Sequence, residues 1–366
     1  MSIGLWMTPR EKAELWRRRS ANGGLVVDKE TDDHSASRRA RRLAVFLNSS
    51  AATMKQRAEA RPQPRWRQNT QGLLDLEDVS RCESRLTTLP LKRQLLKWIG
   101  NKHKFAAQII ARLPTEFGMY YEPFLGSGAV LGTLAPTRGV ASDTFVPLME
   151  IWTALKSHPQ RLTVWYEERW RLRQELGAQR AYDRIRDSYN ARPNGADLLY
   201  LSRTCYGGVV RFRKRDGYMS TPCGPHEPIS PWAFANRVEE WRSRVRGTQF
   251  VLEGYETVMA RARAGDVIYC DPPYVHSQRI LYGAQDFSLE HLLEIIARCK
   301  ARGVFVALSI DGTKKSGNVV CDLPIPRGLF RHETRIEIGR SMLKRFQMEG
   351  RSLEDHHVSD RLLLTH

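Results

Sequence analysis

The sequence has no long apolar run, and this absence excludes a class of protein. A membrane span needs about 18 consecutive apolar residues, whereas the best stretch, Val304–Ile310, is much shorter and has polar sequence on both sides. The first residues, MSIGLWMTPREK, lack the apolar segment of a secretory signal. We therefore expect a cytoplasmic protein with no membrane partner.

Cysteine and histidine are present but are not spaced as metal ligands. The six cysteines form no C-x-x-C pair, and the ten histidines include no H-x-x-x-H spacing. We expect no metal, and free thiols in a reducing compartment.

Acidic residues are scarce relative to basic ones. The 366 residues include 58 Lys and Arg against 40 Asp and Glu, which gives a formal charge of +18, while 41% are hydrophobic. This composition predicts a folded protein whose partner is a polyanion. Residues 1–88 differ from the rest, with arginine clusters such as Arg17-Arg18-Arg19 and no sustained periodicity. We expect them to form a basic, disordered N-terminal tail.

From residue 91 onward, helical and strand patterns alternate, and a long helical stretch interrupts this alternation before it continues. The stretch between 150 and 205 is helical, and residues 203–224, with an Asp216-Gly217 turn signal, read as a β-hairpin. The pattern predicts an α/β domain that is interrupted by a mainly helical segment. The flanking predicted elements are a helix at 102–112, a strand at 119–124, a helix from Ala129, strands at 139–142 and 267–270, a helix at 289–301 and a strand at 304–310.

A glycine turn follows the first predicted strand. Glycine tolerates a positive φ and lets a ligand approach the backbone closely, so Gly126-Ser127-Gly128 indicates a ligand site before a helix. The spacing matches neither a dinucleotide fingerprint nor a P-loop. Asp143 ends the next strand, where a carboxylate can accept hydrogen bonds from both hydroxyls of a ribose.

The segment Asp271-Pro272-Pro273-Tyr274 directly follows the apolar strand 267–270. The Asp271 carboxylate and the Pro272 carbonyl can each accept one hydrogen of an exocyclic amine, which makes the amine nitrogen a better nucleophile. Tyr274 can stack on a base. A base reaches such a pocket only after it is flipped out of a duplex.

A third motif, Lys97-Trp98-x-Gly100-x-Lys102, opens the ordered region. With the glycine turn, Asp143 and the Asp-Pro-Pro-Tyr segment in this order, the chain resembles the Dam-like adenine-specific DNA methyltransferases of the alpha group. The resemblance covers about residues 91–366 and leaves the tail unmatched.

The resemblance implies a Rossmann-like methyltransferase domain formed by residues 91–165 and 248–366. Residues 166–247 would be an inserted, mainly helical target-recognition domain that carries the hairpin. S-adenosylmethionine would be the methyl donor, and Asp271, Pro272 and Tyr274 would be catalytic. The implied cofactor-binding residues are Trp98, Lys102, Glu122, Phe124, Gly126, Ser127, Gly128, Asp143 and Asp271.

The resemblance also implies contacts with double-stranded DNA. Arg211 in Tyr206-Gly207-Gly208-Val209-Val210-Arg211 is predicted to read a guanine edge. The family usually has Asn where Gly207 stands, and Arg213 and Ser220 replace further Asn positions, so the target sequence stays open. The full set of predicted DNA-binding residues is Lys97, Arg203, Tyr206, Arg211, Arg213 and Lys214.

Several alternatives remain. A cytosine-N4 methyltransferase would use the same chemistry on another amine. A protein or RNA methylase would act on another class of substrate. A non-catalytic DNA-binding regulator would bind DNA without transferring a methyl group. Pro222-Cys223 matches the nucleophile dipeptide of cytosine-C5 enzymes, but the partner motif of those enzymes is missing, so we assign Cys223 a structural role. We expect a nucleoid-associated monomer that marks DNA, with a cognate restriction endonuclease as a possible partner.

Overall fold

The structure, a computed structural model, describes most of the chain from residue 84 onward. The described ranges are 84–85, 88–98, 100–213, 215–273, 287–314, 319–320, 323–340 and 357–366. All of them belong to the unit Leu76–His366. The expected N-terminal tail lies outside the described residues except for 84–85 and 88, and so do Lys214 and Tyr274.

Seven strands form one mixed sheet. They are β3 (Tyr120–Glu122), β4 (Gly139–Ser142), β5 (Thr248–Val251), β6 (Val267–Cys270), β7 (Phe305–Asp311), β10 (His332–Arg340) and β11 (His357–Leu364). The order across the sheet is β10-β11-β7-β6-β3-β4-β5, and β5, β4, β3, β6 and β7 are parallel. Strand β11 runs antiparallel between β7 and β10. This mostly parallel sheet agrees with the expected Rossmann-like domain.

Two short antiparallel pairs stand apart from this sheet, β1 (Ser84–Arg85) with β2 (Glu116–Phe117) and β8 (Thr313–Lys314) with β9 (Val319–Val320). The helices are α1 (Ala106–Ile110), α2 (Ala129–Leu134), α3 (Val146–Ser157), α4 (Pro159–Leu176), α5 (Ala178–Ala191), α6 (Gly195–Thr204), α7 (Pro231–Arg244), α8 (Tyr255–Ala260) and α9 (Leu289–Ala301). No helix in the described ranges is both long and apolar enough to cross a membrane.

The central strands are buried on both faces, as parallel strands covered by helices must be. Successive side chains alternate between two clusters: Tyr120 and Tyr269 belong to one, and Tyr121 and Ile268 belong to the other. The first cluster also contains residues of α4 to α7, such as Tyr182. The helical segment between β4 and β5 therefore shares a core with one face of the sheet.

The predicted bounds hold for β4, β6 and α9, but other elements are shorter than expected. Strand β3 ends at Glu122 because Pro123 follows and cannot donate to the ladder. The predicted helix at 102–112 is confined to α1, since Lys102 makes a turn in which its ammonium donates to the Gly100 carbonyl at 3.0 Å.

The predicted hairpin at 203–224 begins inside α6. In its described residues, antiparallel pairing consists of two isolated bridges, Cys205 with Cys223 and Phe212 with Met219. The turn is tight, because Gly217 has a φ of +65° and the Asp216 carboxylate accepts the Tyr218 amide at 3.1 Å. The described residues of 205–223 therefore form a looped segment with two bridges rather than a regular two-stranded ribbon.

Candidate active site

A cavity of about 400 Å³ lies at the carboxyl ends of the parallel strands, where ligands bind in open α/β sheets. Its walls come from the residues that follow β3, β4, β5 and β6, together with the loop before α1. The predicted cofactor residues in this wall are Trp98, Lys102, Glu122, Phe124, Gly126, Ser127, Asp143 and Asp271. Gly128 is not part of the wall; it caps the N-terminus of α2.

The glycine turn adopts the conformation for which its residues are suited. Gly126 and Gly128 have φ values of +47° and +60°, which L-amino acids with side chains rarely adopt. A Cβ on Gly126 would lie 3.3 Å from the Trp98 ring, and one on Gly128 would lie 2.9 Å from the Trp152 ring. The Trp152 indole also donates to the Gly126 carbonyl at 3.1 Å. The turn is thus closely packed beneath the cavity.

Asp143 connects the glycine turn to the end of β4. One carboxylate oxygen accepts the Gly126 amide at 3.2 Å, and the other accepts the Phe145 amide at 3.1 Å. Burial raises the pKa of Asp143, although these backbone hydrogen bonds lower it. Each carboxylate oxygen can accept a further hydrogen bond, so Asp143 is able to hold hydroxyls at the cavity wall.

The buried Lys102 and the partly buried Asp271 form an ion pair in the cavity wall. The Lys102 ammonium donates to both carboxylate oxygens of Asp271, at 2.7 and 2.9 Å. A second carboxylate, Asp360 on β11, lies 3.6 Å from the same ammonium. Burial lowers the pKa of Lys102, but the two carboxylates outweigh it and the pKa is raised. Lys102 is therefore a fixed cation that orients Asp271.

Glu122 is buried on β3, where it accepts the Tyr120 hydroxyl at 2.7 Å. Burial raises its pKa to about 8, with Asp271 adding to the rise, although the hydrogen bond from Tyr120 lowers it. The carboxyl group is thus mostly neutral at pH 7, and it can donate as well as accept a hydrogen bond.

An aromatic wall completes the cavity, and most of it was not predicted from the sequence. Tyr255, at the start of α8, stacks on Phe124 with ring centroids 5.1 Å apart, and Phe287 meets Phe124 edge-on at 5.9 Å. A planar ring could bind against such a wall. Only the position of Tyr255 just after β5, at the carboxyl edge of the sheet, could have suggested its role.

Asn101 was also missed, although it lies inside the Lys97-to-Lys102 motif. Its amide donates to the Trp98 carbonyl at 2.8 Å and accepts from Gln94 at 3.1 Å and from the His103 backbone at 3.3 Å. These bonds fold the loop so that Trp98 and Lys102 both reach the cavity.

Two of the predicted catalytic residues are described by the structure. Asp271 lines the cavity, and the adjacent Pro272 is buried. Pro273, the next residue of the motif, also contributes to the wall. Cys223 is not in the wall, and its thiol donates to the Ala178 carbonyl at 3.9 Å. In the described part of the chain, no group of three or more His, Cys, Asp or Glu residues could hold a metal.

Lys97 and Tyr206 are both exposed, and Lys97 packs against Gly208. Lys97 is exposed, and a Cβ on Gly208 would lie 3.1 Å from the Cβ of Lys97, while Tyr206 is 45% exposed. The exposed side chain is still partly desolvated by its neighbours, and this desolvation, together with the charge of Arg203, lowers the pKa of Lys97.

Arg211 and Arg213 lie on the looped segment. Arg211 is partly buried, whereas Arg213 is exposed and pairs with Asp216 at 3.2 Å. The Arg213 guanidinium also stacks over the Tyr218 ring at 4.1 Å. These side chains are accessible to a partner.

Arg203 is placed differently from the expectation that it contacts DNA. Its side chain is buried, and it donates to the Gln94 carbonyl at 3.2 Å and to the Leu95 carbonyl at 2.9 Å. Burial lowers its pKa to about 10. Arg203 therefore joins α6 to the segment before the active-site loop and is not a surface contact.

Comparison with known proteins agrees with this geometry. Residues 98–338 match the family model of the D12 class N6 adenine-specific DNA methyltransferases. A DNA adenine methylase of Vibrio cholerae is 28% identical over 61% of this chain and 82% of its own length. The DNA N-6-adenine-methyltransferase of Escherichia phage P1 is 26% identical over 60% of this chain and 30% of its own length. A type II methyltransferase of Lactococcus lactis is 25% identical over 59% of this chain and 80% of its own length. The chain belongs to the D12 class N6 adenine-specific DNA methyltransferases.

Proposed function

We propose that this chain transfers the methyl group of S-adenosylmethionine to the N6 amine of an adenine that has been flipped out of duplex DNA. The observation that carries the proposal is the ion pair between Lys102 and Asp271, which stands at the end of β6 in the same cavity as the glycine turn. The pair fixes the one carboxylate that the Asp-Pro-Pro-Tyr motif offers to an amine.

The cavity fits this methyl donor. Its volume of about 400 Å³ suits a ligand of nucleoside size, and the glycine turn allows close approach of the backbone. Asp143 has the lone pairs to hold ribose hydroxyls, and Trp98 and the glycine turn would lie against the methionine end. S-adenosylmethionine supplies, when bound, an electrophilic methyl group on a sulfonium.

The protein contributes alignment and hydrogen-bond acceptors. The Asp271 carboxylate and the Pro272 carbonyl accept the two amine hydrogens, which withdraws the nitrogen lone pair from the ring and points it at the methyl group. Lys102 keeps the Asp271 carboxylate ionised and oriented. The neutral Glu122 adds no further negative charge beside it. The motif assigns Tyr274 to stacking on the adenine.

We assign the catalytic domain to residues 91–165 and 248–366, and target recognition to residues 166–247. Arg211 would read a base edge, with Arg213, Lys97 and the exposed Tyr206 on the DNA side of the molecule, and Lys214 would grip a phosphate. Flipping the adenine costs a few kcal/mol, which stacking and backbone contacts recover.

The biological setting that we propose is DNA marking. The similarity to a protein named as a type II methyltransferase in Lactococcus lactis supports this setting. The protein would act as a monomer at the nucleoid in the cytoplasm, and a cognate restriction endonuclease would cut the same site when it is unmethylated.

The proposal is tested by expressing the chain in a host that lacks DNA methylation. Nucleoside mass spectrometry of the host DNA should detect N6-methyladenine, and modification-sensitive sequencing should place it within one short motif. Expression of Asp271→Ala at the same level is the control and should leave the DNA unmodified. Detection of N4-methylcytosine, or of no modified base with the wild-type chain, would overturn the proposal.

A further inference from the structure

Asp360 occupies a position where the pattern of its strand calls for an apolar residue. In β11, Asp360 has the parity of Leu362 and Leu364, which are buried in the core cluster that the sheet shares with the helical segment. Asp360 itself is only 4% exposed. A carboxylate at a core-facing strand position breaks the local pattern, and such breaks concentrate at functional sites.

The burial of Asp360 is compensated by a group of the active site. Its carboxylate lies 3.6 Å from the Lys102 ammonium, which also donates to Asp271 at 2.7 and 2.9 Å. The buried Asp360 and the partly buried Asp271 thus share one buried cation, so the three groups carry a net charge of −1. If Asp360 served only the fold, a leucine like its neighbours would serve better, because buried ion pairs stabilise weakly compared with apolar packing.

The two carboxylates approach Lys102 from different parts of the chain. Asp271 follows β6, whereas Asp360 comes from β11, beyond residues 98–338 that match the family model. Lys102 precedes α1 and carries its ammonium on a flexible four-carbon stem. Without Asp360 the ammonium would keep the Gly100 carbonyl and Asp271 as partners but would lose one of the two carboxylates that attract it. The second carboxylate restricts the ammonium to the geometry in which it holds both oxygens of Asp271.

We propose that Asp360 is a positioning residue for methyl transfer, which acts through Lys102 to fix the Asp271 carboxylate toward the reacting amine. This inference rests on the function proposed above. Asp360 is not among the residues that line the cavity, so we expect it to act through Lys102 rather than on a substrate. Its loss should reduce kcat while leaving the KM for DNA within about 2-fold, because the DNA-binding side chains lie elsewhere. Outer partners that orient metal ligands are typically worth about 10- to 100-fold in affinity or activity, and by analogy we expect Asp360→Asn to lower kcat by about 10-fold.

The test compares one substitution that removes the charge but preserves the packing with one that preserves the charge but disturbs the packing. Asp360→Asn keeps the shape and removes the charge, whereas Asp360→Glu keeps the charge and adds a methylene to a closely packed core. Purified full-length variants are assayed under saturating S-adenosylmethionine, and their thermal midpoints are measured in parallel. Positioning by charge predicts that kcat falls in the order wild type, Asp360→Glu, Asp360→Asn, with unchanged KM for DNA.

The matched control is Glu333→Gln. Glu333 on β10 pairs with Arg361, the neighbour of Asp360, through two hydrogen bonds of 2.8 Å at the surface. This control removes an ion pair from the same pair of strands and should leave kcat unchanged.

A kcat that follows the thermal midpoints, or equals that of the wild type in both Asp360 variants, would overturn the inference. If Asp360→Asn does not fold, Asp360→Glu still decides, since positioning predicts a kcat changed by more than about 2-fold in fully folded enzyme. A wild-type chain without methylation activity would instead refute the proposed function.

Discussion

The buried carboxyl group of Glu122 predicts a specific dependence of stability on pH. Its pKa rises from 4.5 to about 8 in the folded protein, chiefly because burial disfavours the charged form. A raised pKa means that the folded state binds the proton more tightly than the unfolded state does. The stabilisation is fully present below pH 4.5 and is lost as the pH rises through about 8.

The magnitude follows from the pKa difference. Each tenfold change in proton affinity corresponds to about 1.4 kcal/mol, so the rise from 4.5 to about 8 gives roughly 5 kcal/mol. Glu122→Gln is the matched perturbation, because glutamine keeps an oxygen that can accept the Tyr120 hydroxyl but cannot ionise. The free energy of unfolding of the wild type, relative to Glu122→Gln, should therefore fall by several kcal/mol between pH 5 and 9.

The assay is urea unfolding of both proteins, without ligand, at intervals of one pH unit. Taking the difference cancels the titration of groups that the two proteins share. Glu333→Gln serves as the control, since the hydrogen bonds from Arg361 lower the pKa of Glu333 and its difference from wild type should be flat over this range. A flat difference for Glu122→Gln as well would show that burial does not raise the pKa of Glu122 in the folded protein.

Four further predictions concern single positions. Arg211→Ala should weaken binding to the target duplex by about 1–3 kcal/mol in titrations and relax the sequence preference, whereas Arg203→Ala should lower the thermal midpoint instead, because the guanidinium is buried on backbone carbonyls. Gly128→Ala should destabilise the protein by about 1–3 kcal/mol in urea unfolding, since it forces a side chain into a positive φ and against Trp152. Cys223→Ala should retain full methylation of duplex DNA, and a dead variant would reopen a covalent mechanism.

The parts of the site that lie in contiguous motifs could be predicted from the sequence. The glycine turn, Asp143 and Asp271 each follow a strand whose apolar pattern is clear, and parallel strands bring their carboxyl ends to one edge. Lys102 could be placed there only through the family resemblance, because nothing in its local sequence shows that its ammonium reaches Asp271, 169 positions away.

Contacts between distant elements could not be predicted. Tyr255 stacks on Phe124 in the cavity wall only after β5 has joined the edge of the sheet. Asp360 is a charged residue at a core-facing position of β11. Which face of β11 points to the core can be decided only when its partner strands are known, so the sequence alone does not single out Asp360.

Arg203 shows how the sequence misled. It was grouped with the basic residues that follow it, yet it belongs to α6, whose residues are buried all round. The run Leu198-Leu199-Tyr200-Leu201 just before it already indicated a buried helix. An arginine at the end of such a helix is better explained by the backbone carbonyls that it satisfies.

Methyl transfer to adenine is tested most directly by a reaction of the purified chain with isotopically methyl-labelled S-adenosylmethionine and unmethylated duplex DNA. The DNA is then digested and its nucleosides are resolved by mass spectrometry. We expect label in N6-methyladenine alone, and Asp271→Ala should lose at least about 100-fold of that rate while binding the duplex as tightly as the wild type. Label in another nucleoside, or near-normal turnover by Asp271→Ala, would rule out methyl transfer to adenine at Asp271.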